Sequence, residues 1–216
     1  MMRGVFIALE GIDGSGKTTV RETIAAYIRL KNLTPVLTRE PGGTPFAERV
    51  RDLILKDRDE PVSDKAEVLL FFTSREIHLN NVIRPHLEEG SVVISDRFVD
   101  STYAYQAAGG SVDQGFIDAL TASVVGDNHP DITFLFTVDP QVGFDRALKR
   151  GVVNVMDSKG IAYYERAQAE YLRRAALAPA RYRVIDANRP LQDVQNEVID
   201  QLEVFINDRW KNTYLK

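Results

Sequence analysis

The chain has 216 residues, a formal net charge of −4, 44% hydrophobic and 27% charged residues, and no cysteine. That length and composition suit one soluble domain with a sizeable core, and they exclude a disulfide scaffold and a thiolate zinc site. A net acidic chain argues against a surface that coats nucleic acid, while local arginine clusters remain able to hold a small phosphorylated molecule.

The first apolar run, Val5 to Leu9, predicts a strand and leads into Glu10-Gly11-Ile12-Asp13-Gly14-Ser15-Gly16-Lys17-Thr18-Thr19. Gly11, Gly16, Lys17 and Thr18 fill G-x-x-x-x-G-K-[ST], a phosphate-binding P-loop. Its glycines let successive backbone N–H groups turn inward on a polyphosphate, and the helix that follows adds its dipole. Gly11, Asp13, Gly14, Ser15, Gly16, Lys17, Thr18 and Thr19 are therefore candidate nucleotide ligands. Lys17 is expected to reach the β- and γ-phosphates and Thr18 a magnesium ion. The motif alone does not choose between kinase, switch GTPase, motor and transporter. Glu10 interrupts the apolar run too early for a signal segment, and no stretch is long and apolar enough to span a bilayer, so cytoplasmic residence is expected.

Further strands are predicted at Thr34 to Thr38, Ser91 to Ser95, Thr133 to Val138 and Arg183 to Ile185. Val92-Val93-Ile94 and Phe134-Leu135-Phe136 are continuously apolar, the pattern of parallel strands covered on both faces. The pattern predicts an α/β P-loop NTPase, a doubly wound five-stranded parallel sheet with helices on both faces, as a single domain over 1–216. Helices are expected from about Phe46 to Lys56 and over Ala66 to Val82. Asp64-Lys65-Ala66-Glu67 and Ser111-Val112-Asp113-Gln114 resemble capping boxes, and Asp139-Pro140 and Asn188-Arg189-Pro190 open two more helices. Gly151 after Lys149-Arg150 is a helix stop. Ligands of such sheets gather outside the carboxyl ends of the strands. There the chain offers the P-loop, Arg39-Glu40-Pro41-Gly42-Gly43, Asp96-Arg97-Phe98, Asp139, and Asp186-Ala187-Asn188.

The P-loop, then R-E-P-G-G, then D-R-F-V-D-S-T-Y-A-Y-Q, in that order, resemble the thymidylate kinases, and the similarity runs over nearly the whole chain. Asp64 to Phe72 and Ala187-Asn188-Arg189-Pro190-Leu191 resemble segments of the same family. The resemblance implies ATP as phosphoryl donor, magnesium as cofactor, dTMP or another pyrimidine deoxynucleoside monophosphate as acceptor, a homodimer, and no nucleic-acid or membrane partner. A kinase of broader deoxynucleotide preference shares every motif except the base pocket. A P-loop regulatory switch that binds GTP would carry N-K-x-D, which the sequence lacks.

By the same resemblance, Arg39, Arg51 and Arg97 grip the acceptor phosphate, and Glu40 belongs with Arg39 on the acceptor side. Asp96 orients magnesium, with Asp13 and Glu10 near the same metal. A solvated helix charge is the alternative for Arg51, and a surface ion pair the alternative for Asp96-Arg97. Phe71 and Arg75 are four apart and share a helix face, so a ring can stack on a pyrimidine while the guanidinium reaches a base carbonyl, with core packing the alternative for Phe71. Ser101, Thr102, Tyr105 and Gln106 supply hydroxyl and amide groups for the base and a ring that crowds the ribose 2′ position. Helix capping is the alternative for Ser101 and Thr102. His78, His86 and His129 lack metal-ligand spacing and read as structural or surface residues.

One region departs from the family. Residues 151–160, between two helices, are expected to form a mobile lid. Thymidylate kinases place a catalytic arginine either among the variable P-loop positions or in a lid motif resembling D-R-x-E. Here those places hold Ile12, Asp13, Gly14 and Ser15, and Asn154, Val155, Met156 and Asp157. Arg146, Arg150 and Lys159 are the nearby cations, and Arg146 and Arg150, at i and i+4, are the candidates to contact the ATP phosphates together with Lys17, with solvated helix charges the alternative for both. Such a departure suits a viral or otherwise unusual genome and leaves dUMP open as an acceptor, because a single methyl is worth only about 1–3 kcal/mol of discrimination.

Overall fold

The computed structural model describes residues 3–56, 60–149 and 159–214. Strands β1 (Val5–Glu10), β2 (Pro35–Arg39), β3 (Val92–Asp96), β4 (Ile132–Thr137) and β5 (Tyr182–Asp186) pair in parallel, in the order β2-β3-β1-β4-β5. Every predicted strand is present, its ends displaced by about a residue, the usual latitude of such boundaries. The chain winds outward from β1 in both directions, and the crevice outside β1, β3 and β4 is where such a sheet binds ligands.

Successive side chains of a strand face opposite sides, and β1 uses both. Val5, Ile7 and Leu9 join a core closed by α1 (Lys17–Leu30) and α9 (Leu191–Tyr214), through Val20, Ile24, Ile28, Val194, Val198 and Leu202. Phe6 and Ala8 face the other side, against Val68 and Phe72 of α3 (Asp64–His78) and Ile117 of α6 (Gln114–Val124). A third cluster packs α2 (Pro45–Leu55), α7 (Pro140–Lys149) and α8 (Ile161–Leu177) around Ile12, Tyr105, Leu135 and Tyr171. Glu10 has the parity of Phe6 and Ala8 and points into this second side.

The expected helix over Ala66 to Val82 is α3 continued by a π-turn at Leu79–Ile83 and a short α4 (Arg84–Glu88). A second π-turn, Tyr103–Ala108, follows the single-turn α5 (Val99–Thr102). Wider turns of this kind let a helix carry an extra residue, and they concentrate at functional sites. The caps differ from the sequence pattern. Ser63, not Asp64, caps α3, its Oγ accepting from Ala66 N at 3.2 Å, and Asp113, not Ser111, caps α6, accepting from Phe116 N at 3.1 Å. Asp139 does cap α7, accepting from the backbone N–H groups of Gln141 and Val142 at 2.9 and 3.3 Å.

Arg150 and the expected lid, apart from Lys159 and Gly160, lie outside the described residues. Among the described residues no helix is long and apolar enough to cross a membrane.

Candidate active site

A cavity of about 500 Å³ opens at the carboxyl ends of the strands, between the P-loop, the Arg39-Glu40-Pro41 segment, the face of α3, and the Asp96-Arg97 corner. Asp13, Gly14, Gly16, Lys17, Thr18, Thr19, Arg39, Glu40, Arg51, Phe71, Arg75, Asp96, Arg97, Ser101, Thr102, Tyr105, Gln106 and Arg146 all line it, so residues scattered over most of the chain meet in one place. Gly11 and Ser15 complete the loop behind that wall.

The P-loop is shaped by its glycines. Gly11 has φ +139°, and a Cβ there would lie 2.3 Å from the carbonyl oxygen of Phe136 on β4, so both conformation and space require glycine. Lys17, buried at the start of α1, donates from Nζ to the carbonyl oxygens of Gly11 and Ile12 at 2.8 and 2.9 Å. Burial, reinforced by the positive Arg97, lowers its pKa to about 8, while Asp96, Asp13 and Glu10 pull the other way. Arg146 of α7 reaches the same loop, Nη1 to the Gly14 carbonyl at 3.3 Å.

The Asp96-Arg97 corner is built from strained backbone. Arg97 has φ +72°, a left-handed conformation uncommon outside glycine and asparagine. The turn sends Asp96 and Arg97 apart rather than pairing them. Asp96 Oδ2 accepts from Thr18 Oγ1 at 3.4 Å, while Arg97 Nη2 donates to Asp13 Oδ1 at 2.9 Å and to the Tyr105 hydroxyl at 3.2 Å. Burial opposes the Arg97 charge, but Tyr105, Asp13, Tyr171 and Glu10 outweigh it and hold its pKa well above the ordinary value. Ser101 and Thr102 sit inside α5 and do not cap it. Ser101 Oγ donates to Glu10 at 2.6 Å, and Thr102 Oγ1 accepts from Arg75 Nη2 at 3.1 Å.

Nearer the mouth, Arg39 makes a two-point contact with Glu48, at 3.1 and 2.9 Å, and Arg51 Nη1 donates to the Pro41 carbonyl at 2.8 Å. Burial and the neighbouring Arg39 lower the Arg51 pKa, as expected of cations gathered around a place for an anion. Arg51 is thus a cavity residue rather than a solvated helix charge.

The wall formed by α3 is built on a fixed arginine. Arg75 is 1% exposed and sandwiched between Phe72 and Phe98, with ring centroids 4.8 and 5.5 Å from its guanidinium carbon. Its Nε donates to Glu40 Oε2 at 2.8 Å, and the other Glu40 oxygen lies 3.0 Å from Nδ1 of His78, whose Nε2 is 2.6 Å from Thr38 Oγ1. Glu40 lines the cavity, but its carboxylate is turned onto Arg75 and His78. Arg75 Nη1 is buried and has no hydrogen-bond partner among the described residues, and such a donor needs an acceptor to offset its lost hydration. Phe71, one turn before Arg75, lines the same wall.

Three residues outside the predicted set belong to this site. His78 is fully buried in the Glu40–Arg75 network, and its spacing of three from Arg75 on one helix places it there. Arg21 lines the cavity from α1, one turn after Lys17. Tyr171 reaches in from α8, its hydroxyl 3.0 Å from Arg97 Nη1, and no local sequence signal marks it. Glu10 does not join the magnesium side as the sequence pattern suggests. Its parity on β1 turns it away from Thr18 and Asp96, and its carboxylate accepts from Phe98 N, Ser101 Oγ and Tyr171 OH.

Among the described residues no group of three or more His, Cys, Asp or Glu side chains could hold a metal by itself. Thr18 Oγ1 and Asp96 Oδ2 are hard oxygen donors on one cavity wall beside the phosphate loop, and they suit magnesium that takes its remaining ligands from phosphate and water. Asp13 is committed to Arg97.

The thymidylate kinase family model matches residues 9–198 of the chain. A thymidylate kinase of Pseudomonas savastanoi pv. phaseolicola is 47% identical over 194 residues, covering 90% of this chain and 92% of that protein. One of Pseudomonas fluorescens is 46% identical over 197 residues, covering 91% and 94%. The crystal structure of thymidylate kinase from Ehrlichia chaffeensis superposes with a TM-score of 0.76 at 35% identity, covering 93% of this chain and 99% of that one.

Proposed function

Because the chain belongs to the thymidylate kinase family, we propose that it transfers the γ-phosphoryl group of ATP to dTMP, giving ADP and dTDP. The observation that carries the reading is the Asp13–Arg97 contact, which joins a nucleotide-triphosphate loop to an arginine-lined second half of one cavity.

The donor lies on the P-loop, with loop N–H groups and Lys17 on its β- and γ-phosphates and Thr18 and Asp96 placed to hold magnesium. Magnesium, when bound, offsets charge on the donor phosphates. Arg39, Arg51 and Arg97 take the acceptor phosphate. Phe71 stacks on the base, and Arg75, anchored by Glu40, offers Nη1 to a base carbonyl. Ser101, Thr102 and Gln106 line the same pocket, and Tyr105 crowds the position of a ribose 2′-hydroxyl. An oxygen of the acceptor phosphate attacks the γ-phosphorus, the bond to the bridging β,γ-oxygen breaks, and ADP leaves. No general base is required, because a phosphate monoester with a second pKa near 6 is mostly dianionic at neutral pH. What the protein supplies is fixed positive charge in a dry site. Arg146, already on the P-loop, is the cation best suited to serve where the loop and lid lack arginine.

We also assign residues 1–216 to one kinase unit with residues 151–160 as its lid, working in the cytoplasm where ATP and deoxynucleotides are at hand. A homodimer is favoured by Phe46, Leu53 and Leu69, apolar side chains 49%, 61% and 46% exposed on the neighbouring helices α2 and α3. Sedimentation at micromolar concentration reads that state, and a mass near 24.3 kDa refutes the dimer.

ADP release with ATP, magnesium and equal concentrations of dTMP, dUMP, dCMP, dGMP or UMP tests the activity. The pyrimidine deoxynucleotides should dominate, with dTMP ahead of dUMP by roughly tenfold or more. Activity confined to purine acceptors, or ATP hydrolysis indifferent to all of them, overturns it.

A further inference from the structure

Glu10 is completely buried at the end of β1, and phosphoryl transfer as described gives it no part. Its Oε1 accepts from Phe98 N at 2.8 Å, the first backbone N–H after the strained Arg97. Its Oε2 accepts from Ser101 Oγ at 2.6 Å and from the Tyr171 hydroxyl at 2.9 Å, and those two oxygens lie 2.7 Å apart. The same two hydroxyls receive Arg97 Nη1, at 2.9 and 3.0 Å.

We infer that Glu10 is a positioning residue for Arg97, acting through Ser101, Tyr171 and the Phe98 amide. This rests on the reading of Arg97 as a ligand of the acceptor phosphate.

The argument is one of hydrogen-bond direction. A guanidinium only donates, so whatever stands behind it must accept. A hydroxyl is a dependable acceptor only when its own proton is committed elsewhere. An ionised carboxylate accepts without donating, so Glu10 can take the protons of both Ser101 and Tyr171 and leave both oxygens to Arg97 Nη1. Nη2 is then left to Asp13 and Tyr105 at the cavity wall. The Phe98 contact holds the backbone on which the positive φ of Arg97 depends. Glutamine at position 10 has nearly the same shape but can accept on only one side, so its N–H₂ faces either the Phe98 N–H or the two hydroxyls, and one set of contacts is lost.

The carboxylate is kept against its environment. Burial, with Asp100 beside it, pushes its pKa up to about 7, while Arg97, Ser101 and the Phe98 amide work to lower it. The charged or titratable groups around it are Arg97 and Asp100 at the β3–α5 corner, Lys17 on α1 and Tyr171 on α8. Ordinary packing does not call for an acid there.

The test compares Glu10→Gln, Tyr171→Phe and Arg97→Ala in steady-state kinetics, with circular dichroism melting to establish folding. Glu10→Gln is expected to raise KM for dTMP about tenfold and leave KM for ATP within about twofold, the split that loss of acceptor positioning alone produces. Tyr171→Phe is expected to raise KM for dTMP about threefold, again without moving KM for ATP. In the wild type, kcat/KM for dTMP should fall below about pH 7, as Glu10 gains a proton and stops accepting from both hydroxyls. Glu10→Gln should lose that limb and keep only the lower one contributed by dTMP itself. A folded Glu10→Gln with unchanged KM for dTMP, or with both KM values raised alike, overturns the inference. If Glu10→Gln does not fold, Tyr171→Phe decides by the same criterion. Full activity of Arg97→Ala would instead remove the reading of Arg97 itself, whereas loss of activity there with no effect at Glu10 or Tyr171 removes only the positioning role.

Discussion

Arg97 Nη2 and Asp13 Oδ1 meet at 2.9 Å, so the corner after β3 is tied by an ion pair to the phosphate loop after β1. Both side chains are largely buried, and the same arginine lies over the Tyr105 ring at 4.9 Å. The proposed donor and acceptor halves of the cavity therefore share a wall. Arg97→Lys keeps the charge but loses the planar fork that touches Asp13, Tyr105, Ser101 and Tyr171 together. We expect kcat/KM for dTMP to fall by roughly 10²-fold or more, the size of effect seen when an oriented charged donor is removed. ADP release under limiting dTMP reads it, and a loss below about threefold would contradict the shared-wall arrangement.

The base side predicts a selective defect. Arg75→Lys cannot contact Glu40, Thr102 and a base carbonyl at once, so KM for dTMP should rise about ten- to a hundredfold with KM for ATP little changed. Titrating each substrate against a saturating concentration of the other separates the two constants. Equal changes in both would mean that Arg75 supports the fold rather than the base.

Gly43 makes a stability prediction. Its φ is +86°, and a Cβ there would lie 2.6 Å from both His78 Cδ2 and Thr38 Oγ1, the residues that steady Glu40. Gly43→Ala should destabilise the protein by about 2 kcal/mol or more, through strained backbone and a displaced buried network. An unchanged urea midpoint would show that the His78 ring yields freely.

Lys17 predicts an alkaline limb. With its pKa lowered to about 8 by burial and Arg97, the free protein loses the Lys17 charge as pH rises past that value, and kcat/KM for ATP should fall there. Bound phosphates stabilise the charged form, so the limb in kcat at saturating ATP should lie at higher pH. Coincident limbs at low and saturating ATP would assign the titration to another group.

Glu10 predicts a crossing of stability with pH. Its folded pKa of about 7 exceeds the ordinary 4.5, so the folded state holds the extra proton between those values. The contribution to stability is full below about pH 4.5 and is lost as pH rises through about 7, a swing on the order of 3 kcal/mol at most. Relative to wild type, Glu10→Gln should therefore be more stable at pH 8 than at pH 5, with urea unfolding at the two pH values as the readout. A difference independent of pH would mean that Glu10 titrates normally.

The sheet was legible because its strands are continuously apolar runs such as Val92-Val93-Ile94, and the P-loop because its glycines and Lys17 have fixed spacing. Arg39, Phe71, Arg75 and Gln106 could be placed through helix spacing and family pattern together. What escaped depends on direction rather than residue type. Glu10 sits one residue before the P-loop glycine, yet strand parity turns it to the opposite side from Thr18. Asp96 and Arg97 are adjacent and look like a pair, yet the positive φ of Arg97 separates them. His78 and Tyr171 work through partners 38 and 74 residues away, beyond what any local pattern records. The caps at Ser63 and Asp113 were missed because neighbouring residues, Asp64 and Ser111, are equally able to cap.

The π-turn at Tyr103–Ala108 makes the number of residues, and not only their identity, a constrained property of this corner. It carries Tyr105 and Gln106, so deleting any one small residue within it would remove the extra residue that the wide turn absorbs and shift the phase in which Tyr105 and Gln106 meet the cavity. Point substitutions at Ala104 or Ala107 leave that phase intact, whereas the deletion shifts it. A survey of insertions and deletions should therefore find this stretch intolerant of any change in length, even at positions that accept nearly any small side chain.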